Sequence, residues 1–202
     1  MTKTKPRESR VVILSPKGAT YAPSLRERLT VCRSEKDIAK IYEGSTSDNI
    51  TWVDFAPKLT DSLIVAATMD RARSPKRGPR RGQAYLAVKS PRPTSVPALH
   101  GLFEVFVGAT AGYNWLPADE LVPALLATDE LRPELFVAVA TDPGTHTVTL
   151  RRADLTAVVV PFNLFRLSGD GTRPDFSRPR VTDYGRTVAF GDYEAAGDAI
   201  LY

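Results

Sequence analysis

Soft ligands and nucleophiles are scarce in this 202-residue chain. There is a single cysteine, Cys32, so no intramolecular disulfide can form, and a reducing, cytoplasmic setting is the expectation. The only histidines, His100 and His146, lie far from Cys32 and from each other. None of the paired spacings of a zinc site is present. Cys32 reads as a small packed residue, and nucleophilic catalysis has no local signature. No apolar run approaches the roughly 18 residues of a membrane span. The first one, Val11 to Leu14, is also too short for a secretory signal. Gly169-Asp170-Gly171 lacks the spacing and the strand–helix setting of a phosphate-binding loop. No cofactor, metal or membrane partner is therefore expected.

Charge, by contrast, is plentiful and uneven. The net formal charge is +4, but residues 1–100 carry 19 Lys and Arg against 9 Asp and Glu, and residues 101–202 carry 8 against 14. No lysine follows Lys89. Such asymmetry points to two surfaces with different partners. The densest basic run is Arg71, Arg73, Lys76, Arg77, Arg80 and Arg81, interleaved with Ser74, Pro75, Gly78, Pro79 and Gly82. Proline and glycine make residues 71–82 read as an exposed loop, and the arginines make it a candidate contact for nucleic-acid phosphates. No aromatic residue interrupts the run; Trp52, Phe55 and Tyr85 flank it.

The fold expectation is α+β, with mixed or antiparallel sheets and a few short helices. A first strand is read over Val11–Ser15, and residues 24–30 form a short helix or an edge. Ser34 caps a helix over Glu35–Glu43, with Asp37 three residues on to bind back to the cap. Gly44 ends it. Ile50–Phe55 carries bulk on both faces, as a central strand does. Leu63–Met69 is too short to assign by period. Further strands are expected over Gln83–Lys89 and Leu102–Val107, joined by an extended proline-rich connection from Ser90 to Pro97. Pro117 opens a helix reaching about Thr128, with Pro123 awkward inside it.

Arg132-Pro133 marks a boundary, giving an α/β region over 1–131 and a β-rich module over 132–202. Strands are expected there over Leu135–Ala140, Thr145–Arg151, Thr156–Val160, Arg180–Tyr184 and Arg186–Phe190. Asp142-Pro143-Gly144 and Asp183-Tyr184-Gly185 supply turns, and a closing helix runs over Tyr193–Leu201 with Asp192 as cap.

Four segments of this module carry a likeness: Val148 to Arg152, Ala157 to Phe162, Val181 to Phe190 with Asp183 and Gly185, and Tyr193 to Leu201. In these it resembles a small bacterial family of domains encoded beside toxin genes. Val188 and Phe190 stand where that family has a tryptophan. The resemblance implies an antitoxin-like, non-catalytic interaction module with a protein partner. Close-set aromatics at Phe103, Phe106, Tyr113 and Trp115 are candidates for a partner-binding surface. Two alternatives stay open. Asp183, Asp192, Glu194 and Asp198, with Arg151, Arg152 and Arg186, could serve a metal-dependent phosphoesterase. The acidic half could also mimic nucleic acid as an inhibitor.

Overall fold

The computed structural model describes residues 10–16, 21, 25, 28–44, 49–73, 80–108 and 112–201, with the backbone alone at Arg80 and Arg81. The chain is α+β, and it divides into two compact units, Met1–Thr110 and Ala111–Tyr202. The division thus falls about twenty residues before the expected one at Arg132. The reason is a strand the sequence did not announce, Asn114–Trp115, which pairs with the strand at Phe136–Asp142 and takes the following helix into the second unit.

The first unit is one parallel sheet. Its strands are β1 (Arg10–Leu14), β2 (Leu29–Cys32), β3 (Ile50–Asp54), β4 (Arg80–Leu86) and β5 (Phe103–Val107), in the order β2-β1-β3-β4-β5. Val11 to Leu14 is buried on both faces, as an unbroken apolar run in a parallel sheet should be. Helices α1 (Glu35–Gly44), α2 (Thr60–Arg73) and α3 (Val96–Leu102) connect the strands. Ile38 and Ile41 of α1, Leu63 and Ala67 of α2 and Leu99 of α3 share one core with Val12, Leu14, Ile50, Trp52 and Tyr85. All three helices therefore cover the same sheet face. The strand order reverses its direction between β1 and β3, the switch point of an open parallel sheet.

The start of α1 is as expected. The Ser34 amide and hydroxyl both donate to Asp37 Oδ2 (3.0 and 2.9 Å), and the Asp37 amide donates back to Ser34 Oγ (3.3 Å). Ser34→Ala should cost about 1 kcal/mol of stability in urea unfolding; an unchanged midpoint would mean the cap contributes nothing.

Two expectations for this unit are corrected. Leu63–Met69 lies inside α2, whose last turn holds Arg71 and Arg73, and Arg80 to Gly82 begin β4. The ends of the expected loop at 71–82 thus belong to a helix and a strand, and residues 74–79, with Lys76 and Arg77, lie outside the described residues. The proline-rich connection is not simply extended: Pro93 opens a 3-10 turn and Pro97 sits in the first turn of α3, where the missing amide costs nothing.

The second unit is antiparallel throughout. One sheet has the order β6 (Asn114–Trp115), β7 (Phe136–Asp142), β8 (Thr147–Arg152), β9 (Ala157–Pro161); the other has β10 (Pro179–Thr182), β11 (Thr187–Phe190), β12 (Tyr193–Ala196). β10 and β11 pack on β7. Phe136, Val137, Leu150, Val181, Val188 and Phe190 are buried in this unit. Helix α4 (Ala118–Leu125) is shorter than expected: Pro123 lies inside it and the helix ends two residues later. The closing helix is also shorter, α5 (Gly197–Leu201). Tyr193 pairs with Phe190 across a two-residue turn whose first residue, Gly191, has φ +66°, so Asp192 serves a hairpin and not a helix cap.

Candidate functional site

In open α/β sheets ligands bind outside the carboxyl ends of the strands, where the connections reverse. Here that place lies at the ends of β1 and β3, which contribute Ser15 and Asp54. Period-two alternation puts Asp54 on the same face as Ile50 and Trp52, beneath the helices. Its side chain has no exposed surface. The Ala56 amide donates to its Oδ1 (2.7 Å) and the Thr60 hydroxyl to its Oδ2 (2.6 Å). The Tyr85 hydroxyl donates to the same Oδ2 and lies 3.3 Å from Thr60 Oγ1. Three elements build this network: β3 ends on the carboxylate, Thr60 begins α2, and Tyr85 arrives through the parallel pairing of Trp52 with Tyr85.

Burial pushes the Asp54 carboxyl above its ordinary range. The hydrogen bonds from Thr60, Tyr85 and Ala56, and the charge of Lys89, pull the other way without winning. Burial, followed by the neighbouring Asp54, raises the Tyr85 phenol. A carboxyl in this state, with both oxygens taken by protein donors, is poorly placed to attack a substrate or bind a cation. Nearby, the Tyr21 hydroxyl donates to Ser15 Oγ (3.2 Å), and the Ser15 hydroxyl donates to the Pro16 carbonyl (3.2 Å).

Cys32, at the end of β2, is buried, and its thiol is pushed up to about 12, first by burial and then by the charge of Asp37. It should stay unmodified by iodoacetamide at pH 8 in the folded protein and react fully in urea; rapid labelling of the native chain would contradict the packing.

The other side of α1 and α2 is open. Between them runs a groove of about 390 Å³, floored by Ala39, Tyr42, Val65, Ala66 and Met69. Val65 and Met69 are 52% and 57% exposed, although both are apolar. Glu35, Glu43, Asp61 and Asp70 also line the groove, with Arg73 as its one basic residue among the described residues.

The structure gathers some of the residues expected to act together and assigns others to different units. Arg71 reaches from the end of α2 to the carbonyl of Gly101 (2.9 Å), and Arg73 is exposed beside it. Phe103 is buried and packs on Tyr85, with ring centroids 5.4 Å apart; Phe106, partly buried, stacks on the same ring at 5.8 Å. Phe103 belongs to the core of the first unit, and Phe106 packs against that core. Tyr113 and Trp115 belong to the second unit, partly buried and 5.8 Å apart, with the Arg151 guanidinium donating to the Tyr113 hydroxyl (3.2 Å). Asp183, in the turn between β10 and β11, Arg186 and Asp198, in the first turn of α5, line one cavity of about 480 Å³ together with Glu134, whereas Asp192 sits in the β11–β12 hairpin and Glu194 in β12. Among the described residues, no three His, Cys, Asp or Glu side chains are grouped to hold a metal ion. Nor, among them, is any helix long and apolar enough to cross a membrane.

Sequence reasoning missed both the Asp54 network and the groove. An aspartate ending an apolar strand, followed by Phe-Ala-Pro, was the available sign of the first. The i, i+4 spacing of Glu35, Ala39 and Glu43 beside Asp61, Val65 and Met69 was the sign of the second. Comparison with family models, with curated proteins and with solved structures found no match.

Proposed function

We propose that this chain is a non-enzymatic interaction protein of an antitoxin-like defence or regulatory system, acting in the cytoplasm. It binds a protein partner through its N-terminal unit and meets nucleic acid through the basic segment from Arg71 to Arg81. One observation carries the reading: the carboxylate at the strand ends is closed in by its own donors, while the α1–α2 groove stands open with apolar side chains uncovered. Open α/β sheets that bind ligands at their switch point keep a crevice there. Exposed apolar surface with a polar rim is what a protein interface offers. The exposed guanidinium of Arg73, the single buried thiol and the likeness of residues 132–202 to toxin-associated domains support the rest.

The test is a pull-down of the intact chain from its host lysate, with and without nuclease. A single stoichiometric protein that survives nuclease is the expected result. Recovery of nucleic acid with every protein lost would overturn the protein-partner reading. Magnesium-dependent turnover abolished by Asp192→Ala or Asp198→Ala would make the chain an enzyme. For the nucleic-acid arm, affinity should fall steeply with salt, and Arg71→Ala with Arg73→Ala should lower the slope by about 2 for a duplex.

A further inference from the structure

We infer that the occupant of the α1–α2 groove is a basic amphipathic helix of the partner protein, seated on Val65 and Met69 and steered by Glu35 and Glu43. The inference rests on the interaction reading above and gives its partner a chemistry.

Charge is the first argument. Residues 1–100 hold only nine carboxylates among 19 lysines and arginines, and four of the nine, Glu35, Glu43, Asp61 and Asp70, line this one groove. Asp37 and Asp54 are committed elsewhere, to the cap of α1 and to the buried network. Asp61 is partly neutralised, pairing with Arg92 (3.0 Å) and accepting from Ser95 (3.0 Å). Among the described residues neither Glu35 nor Glu43 is in an ion pair. An acidic groove on a basic unit discriminates by sign: a cationic partner is repelled by most of this half and drawn to one strip.

Shape is the second argument. Both walls are helices, whose backbone hydrogen bonds are satisfied internally along most of their length. An extended peptide lying here would find no sheet edge for its own amides and carbonyls. A helix brings its backbone already paired and offers side chains alone, as in helix-in-groove recognition. The strip on α1 from Glu35 to Glu43 spans eight residues, about 12 Å at 1.5 Å per residue. About two turns of a partner helix match it, with apolar anchors at i, i+3 or i+4 and i+7 over Val65 and Met69, and Lys or Arg flanking them. The groove is too small for a helix body and suited to a few inserted side chains.

The experiment is a selection of displayed 16-residue random peptides on the intact chain, each survivor then titrated by fluorescence anisotropy. The comparison proteins are Val65→Gln/Met69→Gln and Glu35→Gln/Glu43→Gln. All four positions line an open groove and glutamine keeps helix propensity, so unchanged thermal unfolding serves as the folding control. Survivors should be cationic with helical apolar period. The Val65/Met69 pair should weaken them at least tenfold, and the Glu35/Glu43 pair several-fold with a shallower salt dependence. Survivors that bind the variants as well as the parent, or that are acidic or lack helical period, would overturn the groove assignment and leave the interaction reading standing. No survivors at all would overturn both. Self-association lost in the same variants would make the occupant a second copy of this chain and overturn the assignment to a partner.

Discussion

Gly185→Ala should destabilise the C-terminal unit by about 3 kcal/mol or more, enough to unfold it in a marginally stable protein. The residue follows Asp183 and Tyr184, both at φ +52°, and itself has φ +93°, a conformation strained for any L side chain. The added methyl would collide with the carbonyl oxygen of Phe136 and stand 3.0 Å from its amide nitrogen. Those are backbone atoms of β7, the strand on which the second sheet packs, so they cannot step aside as a flexible side chain would. Gly169→Ala is the matched control, since nothing lies within 4 Å of its new methyl; it should change stability by less than about 0.5 kcal/mol. Urea unfolding followed by hydrogen exchange of peptides from β7 and β8 reads both. Equal stability of the two variants would show that the tight approach at Phe136 relaxes without cost.

The second large effect is expected at Asp54. Asp54→Ala removes the acceptor shared by the Thr60 and Tyr85 hydroxyls and the Ala56 amide, leaving donors stranded in a closed core. The loss should be about 3 kcal/mol or more. Asp54→Asn keeps a neutral acceptor there, and the comparison gains its value from pH. The folded carboxyl holds its proton to higher pH than the unfolded one, whose ordinary value is near 3.8. Between those two values the folded state binds more protons, so this group's contribution falls as pH rises through the window and is level above it. Asp37, Asp142 and Asp175 are shifted downward and act in the opposite sense, so the raw curve mixes both. The difference between wild type and Asp54→Asn isolates the site: the wild type should lose ground to the variant from pH 4 upward. Parallel urea midpoints across pH 4–7 would mean that Asp54 ionises in place as freely as in the unfolded chain.

Local features were legible in the sequence, and long-range ones were not. Val11 to Leu14 announces a buried strand because four apolar residues in a row leave no solvent face. Ser34 and Asp37 announce a helix start because the partners lie three residues apart. Asp142 to Gly144 announces a turn for the same local reason. The Asp54 network has no such signature: Thr60 is six residues away, and Tyr85 thirty-one residues away comes near only because β4 lies beside β3 in one particular register. Period misled at Tyr193–Leu201, where alanines suit strand or helix and the hairpin at Gly191 and Asp192 decided. The aromatics misled for another reason. Phe103 to Trp115 are neighbours in sequence, yet the division after Thr110 assigns them to different units. The groove was half legible: each helix wall shows its spacing, but the packing of α1 against α2 follows from the sheet beneath them.

The contrast between the two sheets has a consequence for how the chain acquires its structure. Each parallel pairing in the first unit closes a loop of many residues before any contact repays the lost freedom. Most pairings in the second unit join strands linked by short turns, such as β7 with β8 and β11 with β12. Sheets dominated by distant pairings form slowly, and local hairpins form fast. The half that leaves the ribosome first is therefore the half with the slower assembly, and its apolar strands wait uncovered while the later half closes. A host that makes this protein in quantity should need to shield that interval, and slowed translation just after Thr110 should raise its soluble yield.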